Sequence, residues 1–236
     1  MTITLSPSSR QQTQHILLEG VTWVTYQALL KDLGDRRASR LAYDQGILEI
    51  IMPSNLHEII NRLLALIVTA LTDELEMKIK GYGSTTLDRE DLARGVEPDS
   101  CFYIQNVDLI LGKKLDIKTD PPPDLALEVD ITSSSHRKFG IYLQLQIPEV
   151  WRYSEREGLV IYQLQAGKYV ECDFSPTFPM ISGAMLKQFL QLADTEDDNS
   201  IIRALRQWLR TQEKRRVRSI IKPATSKAIA PKNNTP

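Results

Sequence analysis

The sequence predicts an α/β fold in which a mixed β-sheet is flanked by α-helices. Three observations carry that prediction. Leu125, Ala126, Leu127, Val129 and Ile131 form a short, nearly continuous apolar run, the pattern of a strand covered on both faces. Leu56, Ile59, Ile60, Leu63, Leu64, Ile67, Val68 and Leu71 recur at the spacing of one helical face, and such a helix must lie on a sheet. Strand-like and helix-like segments also alternate along the chain.

The elements follow in order. Trp23 to Leu33 reads as a short helix capped by Thr22. Arg40 to Tyr43 and Gly46 to Met52 read as a hairpin around Asp44-Gln45-Gly46. Pro53-Ser54-Asn55 opens the long helix. Met77 to Leu87 reads as a strand, with Gly81 and Gly83 allowing a bend or bulge. Pro98 to Gln105 is the next strand. Asn106 to Pro123 is a polar connection, partly ordered at Val107 to Leu111. After the apolar strand Leu125 to Ile131, Thr132 to Ser135 is a loop and a helix start. A helix from Arg137 to Gln146 ends before Pro148. Three strands follow, Glu149–Tyr153, Gly158–Gln165 and Lys168–Phe174, the last two joined at Ala166-Gly167. After a break at Pro179 to Gly183, the amphipathic helices Leu186–Leu192 and Ser200–Trp208 close the domain.

Composition sets the outer limits. A chain of 236 residues, 42% apolar, suits one α/β domain with a full core. Residues 21–212 would form that domain, after an N-terminal extension over 1–20 and before a disordered basic tail over 213–236. No apolar run approaches the roughly 20 residues needed to span a bilayer, so no membrane partner is expected. Met1 to Gln14 is polar and has no signal-peptide pattern, and a cytoplasmic location is expected. Cys101 and Cys172 are too few for a disulfide framework or a thiolate zinc site, and Cys101 reads as a buried free thiol.

The net charge of −1 hides an asymmetry. Lys214 to Pro236 holds seven Lys/Arg and no acid, so the rest of the chain sets 22 bases against 30 acids, a net of −8. A basic tail can hold nucleic acid through phosphate contacts, and a solvated end that aids solubility is the competing reading.

The candidate site rests on carboxylates in costly places. Asp99 follows a proline at the start of one apolar segment, and Glu128 lies inside another. An acid within a buried strand is expensive to desolvate unless it is paired or binds a metal. If the two strands are neighbours, Asp99 and Glu128 can share a magnesium ion, which needs only one or two carboxylates. The structural alternative has Asp99 capping a turn and Glu128 pairing with an arginine. Lys138, at the start of the following helix, could orient a water or stabilise charge on a phosphate, or simply face solvent. Tyr142 shares its helical face. There is no Gly-rich phosphate loop, and Asp194 to Asn199 reads as an acidic connector without the spacing of a calcium loop.

Pro98-Asp99, the Glu128-centred strand, Lys138 with Tyr142, and Ile147-Pro148-Glu149-Val150-Trp151 together resemble the bacterial Uma-two family, restriction-endonuclease-like proteins of the PD-(D/E)XK nuclease superfamily. The resemblance runs from about Val21 to Trp208. It includes the Trp23/Tyr26 helix, the Gly46-Ile47-Leu48-Glu49 strand, His57 and Phe178-Pro179. It implies a restriction-endonuclease-like core, with Asp99 and Glu128 holding Mg²⁺ (Mn²⁺ as the alternative ion). DNA would be the substrate, its phosphodiester bonds hydrolysed with Lys138 positioning the attacking water. An inactive nuclease-fold DNA-binding or assembly module is the alternative.

The superfamily pattern has a lysine two residues after the glutamate, where this chain has Asp130, so the resemblance passes that role to Lys138. Asp130 would be a further ligand or a repulsive neighbour. Relatives carry an acid one turn before the lysine, where this chain has Ser134. His57, on the shoulder of the apolar stripe, would approach the site as a water-mediated or phosphate contact, or cap its helix half-buried. Restriction-type nucleases often cut as two-fold dimers, so a homodimer is expected, with Leu159-Val160-Ile161-Tyr162 and the C-terminal helices as candidate faces.

Overall fold

The computed structural model describes residues 13–34, 38–131 and 136–221. Eleven strands and six α-helices occur among them. The strands are β1 (Gln14–Leu18), β2 (Arg40–Asp44), β3 (Ile47–Met52), β4 (Lys80–Gly81), β5 (Leu87–Arg89), β6 (Arg94–Val96), β7 (Ser100–Tyr103), β8 (Leu125–Asp130), β9 (Glu149–Ser154), β10 (Gly158–Gln165) and β11 (Lys168–Cys172). The helices are α1 (Trp23–Leu33), α2 (Asn55–Glu74), α3 (Val107–Ile110), α4 (His136–Leu145), α5 (Gly183–Gln191) and α6 (Asp198–Ile221).

The strands form two sheets. A five-stranded antiparallel sheet has the order β1-β3-β2-β6-β5, and a six-stranded mixed sheet has the order β11-β10-β9-β8-β7-β4. In the larger sheet β8 runs parallel to β9, with α4 as the crossover, and antiparallel to β7.

The alternation of β8 divides the core. Leu125, Leu127 and Val129 face a large cluster built with α2, α5 and α6. Ala126 faces the other way, into a cluster shared by α4 and strands β2, β5 and β6 of the smaller sheet. Glu128 and Asp130 share that second face by the two-residue period. Helix α2 is capped by Ser54, whose hydroxyl accepts from the His57 N–H. Its stripe Ile60, Leu63, Leu64, Ile67, Val68 and Leu71 is buried, each residue contributing roughly 1.5–3 kcal/mol of burial. Ile59, expected on that stripe, is 52% exposed.

Several expected elements differ. Met77 to Leu87 is not one strand. Lys80–Gly81 pairs with β7 in the larger sheet, and Leu87–Arg89 pairs with β6 in the smaller one. Between them Gly83 adopts φ +57°, a left-handed value that turns the chain out of one sheet toward the other. Strand β1 falls inside the expected N-terminal extension yet pairs along its length with β3. Helix α6 continues to Ile221, past the expected boundary at 213. Residues 222–236 and Thr132–Ser135 with Ser134 lie outside the described residues. Strand β10 is flanked by β9 and β11, with Leu159 and Ile161 buried on one face and Val160 and Tyr162 half-buried on the other.

Candidate active site

Asp99 immediately precedes β7 and continues its pairing with β8, its N–H donating to the Leu127 carbonyl at 3.2 Å. Its carboxylate then turns onto β8 itself, where Oδ2 accepts from the Val129 N–H at 2.7 Å. With Ser100 opposite Leu127 in the β7–β8 register, Asp99 is thereby fixed beside Glu128 on the neighbouring strand. Both side chains are almost fully buried.

Helix α2 holds Asp99 from the other side. His57 Nε2 stands 3.1 Å from Oδ2. One turn later, Asn61 donates to the Asp99 carbonyl at 3.1 Å and accepts from the Ser100 hydroxyl at 3.0 Å. Arg40 on β2 places Nε 3.2 Å from Asp99 Oδ1 and reaches Glu58 at 2.9 Å. Burial alone would raise Asp99, but the charge of Lys138, the His57 contact and Arg40 outweigh it and hold the carboxyl at about 2.

Glu128 is held from α4. Lys138 Nζ lies 2.8 Å from Oε2, and the Tyr142 hydroxyl donates to Oε1. Lys138 and Tyr142 are four residues apart and present one helical face to the strand. Lys138 also donates to the Glu97 carbonyl at 3.4 Å. Burial pushes Glu128 above the ordinary carboxylate range, to about 8, with Lys138 opposing and the nearby Asp99 charge reinforcing the rise. For Lys138 the loss of hydration is outweighed by the charges of Glu128 and Asp99, which raise it.

These groups meet in one small cavity. Asp99, Glu128, Lys138, His57 and Asp130 line it together with Thr13, His15, Glu49, Ile51 and Val129. Its volume is about 10 Å³, the room one water needs. Asp130 shares Glu128's side of β8 and lies 3.9 Å from Arg152. His57 is buried rather than half-exposed, and it meets Asp99 directly.

Five residues take a part in the site that their sequence context does not announce. Arg40 and Asn61 anchor Asp99. Glu97 accepts from the Leu41 N–H at 2.8 Å and from Thr86 at 2.7 Å, tying the Lys138 anchor to the smaller sheet. His15 with Glu49 forms part of the cavity wall. Asn61 is the exception, its legible signal being a polar residue set into the apolar stripe of α2. The others depend on which strand packs over which.

Among the described residues, no group of three His, Cys, Asp or Glu side chains is arranged to hold a metal. Two converging carboxylates nonetheless fit a divalent cation of the magnesium type, which takes one or two and completes its shell with water and phosphate oxygens. Each Glu128 oxygen holds one protein donor, and a carboxylate oxygen has a second lone pair.

A solved structure described as "a putative nuclease belonging to DUF820", from Anabaena variabilis, superposes with a TM-score of 0.51 at 14% identity. The match covers 72% of this chain and 99% of that one, a likeness of fold. No protein of curated function matches the sequence. The profile of the Uma2 (Uma-two) family, described as "Putative restriction endonuclease", matches residues 23–196, which include Asp99, Glu128, Lys138 and Tyr142. The chain belongs to the Uma2 family.

Proposed function

We propose that the chain is a cytoplasmic, metal-dependent DNA endonuclease that hydrolyses phosphodiester bonds. One observation carries the reading above the others. Two buried carboxylates on adjacent strands open on the same cavity as a buried lysine. Such a group is costly to bury and contributes little that apolar packing would not, so its retention suits chemistry.

Asp99 and Glu128 would hold Mg²⁺ or Mn²⁺. When bound, the cation supplies Lewis-acid stabilisation of the charge that grows on the phosphoryl oxygens. Asp99 stays ionised because Arg40, His57 and Lys138 surround it. Glu128 accepts from Lys138 and from the Tyr142 hydroxyl, and both contacts favour its ionised form against the cost of burial. Lys138, anchored on the Glu97 carbonyl, orients the attacking water in line with the leaving oxygen. Two copies related by a two-fold axis would cut both strands of a duplex.

A second reading is a binding or assembly module of the same fold without activity. The acidic body favours it, since 22 bases face 30 acids outside Lys214 to Pro236 and DNA is a polyanion. Incubating the protein with linear, supercoiled and single-stranded DNA in Mg²⁺ and Mn²⁺ separates the two. The nuclease reading expects cleavage by the wild type and none by Asp99→Ala.

A further inference from the structure

Strand β1 lies ahead of residues 23–196, the span matched to the family, yet it walls the cavity that holds Asp99, Glu128 and Lys138. It reaches that position by pairing antiparallel with β3, His15 opposite Ile51 and Leu17 opposite Glu49. The two-residue period puts His15, Glu49 and Ile51 on one face of this ribbon, and all three line the cavity. His15 Nδ1 stands 3.0 Å from Glu49 Oε1, with side chains 24% and 13% exposed. A carboxylate that holds one ring nitrogen fixes the orientation of the imidazole and sends its chemistry through the other.

Phosphodiester hydrolysis needs a group at each end of the in-line displacement. Lys138 is tied to Glu128 and the Glu97 carbonyl, which assigns it to one end. The leaving alkoxide needs a proton of its own, and His15 enters the cavity from the other sheet.

We infer that His15 is a further catalytic residue that protonates the leaving oxygen through Nε2, with Glu49 as its positioning residue. The inference rests on the nuclease reading. In the step, the water oxygen bonds to phosphorus. The bond from phosphorus to the bridging oxygen breaks, and its electron pair goes to that oxygen. The Nε2 proton passes onto it. The proton shed by the water goes to solvent, and the imidazole is reprotonated from solvent.

The test is single-turnover cleavage of two oligonucleotides by the full chain with Mg²⁺. One is ordinary. In the other, sulfur replaces the bridging oxygen on the leaving side, identified from the ends the wild type produces. A thiolate leaves without protonation. His15→Gln should slow the ordinary substrate by about 10²–10³ and the sulfur substrate hardly at all, the range for losing a general acid. His15→Asn should repeat the pattern. Glu49→Gln should cost about 10-fold on the ordinary substrate only, as for loss of a group that orients a functional histidine. Equal slowing of both substrates would mark His15 as structural and overturn the inference. So would wild-type rates in His15→Gln, and in either case the nuclease reading would stand. A wild type that cuts neither substrate would remove the nuclease reading and this inference with it.

Discussion

Lys138 reaches Glu128 from the helix after the strand, its Nζ 2.8 Å from Oε2, with both side chains about as buried as any apolar residue in the core. The pair shares its protons in a place where neither charge is hydrated, which makes it sensitive to substitution and to pH.

Lys138→Met is expected to slow cleavage by about 10²–10³, as for loss of one transition-state stabilising group. Its effect on stability depends on pH. Glu128 already sits at about 8 against an ordinary 4.5. A carboxyl raised on folding contributes stability that is present below its unfolded value and lost as pH rises through the folded one. Without Lys138 that rise is larger. Denaturant unfolding should show a constant difference between variant and wild type from pH 4.5 to about 8, where Glu128 is protonated in both folded proteins, and a growing disadvantage of the variant above about pH 8, where only the wild type ionises it. A difference that stays constant above pH 8 would contradict it. Tyr142→Phe should have a smaller effect on rate, because the lysine remains.

A cation taking Glu128 must displace its proton. Mg²⁺ binding below about pH 8 should therefore release a proton, and affinity should rise with pH. Calorimetry in buffers of different ionisation enthalpy checks this. Binding heats independent of the buffer would show that Glu128 is ionised before the metal arrives.

Cys101 lies in β7 under full cover, and burial pushes its thiol up to about 12. It should resist a disulfide reagent in the native protein and react only on unfolding, while the partly exposed Cys172 reacts first. Two thiols reacting at equal native rates would show that β7 opens locally.

The basic C-terminal end is expected to add non-specific DNA affinity. Removing 222–236 takes away Lys222, Lys227 and Lys232. The salt slope of DNA binding should then fall by about 0.9 for each phosphate that these lysines no longer neutralise. An unchanged slope would leave the tail without a DNA role.

Much of this site was legible before the structure. The apolar run around Glu128 fixed it in a buried strand, and a proline ahead of Asp99 marked the start of its neighbour. Resemblance then placed Lys138. What could not be read was the second sheet. Met77 to Leu87 has no internal cue saying that its halves belong to different sheets, apart from Gly83. Gln14 to Leu18 shows no alternation, because β1 is an edge strand with Ile16, Leu17 and Leu18 more than 40% exposed. Arg40, Glu97 and the His15–Glu49 pair matter only because the smaller sheet lies over β8, and sequence spacing carries no record of that packing. Helix α6 outran its expected end because its Lys/Arg-rich stretch, though poor in apolar residues, keeps good helix propensity.

Cleavage of plasmid DNA with Mg²⁺ and with Mn²⁺, comparing wild type with Glu128→Ala purified side by side, decides whether Asp99 and Glu128 together make a metal-dependent catalytic site. The wild type should cut and Glu128→Ala should not, because the variant lacks one of the two carboxylates. Equal cleavage by both would place the activity elsewhere or in a contaminant. A wild type that binds DNA but never cuts it would make the chain a binding module.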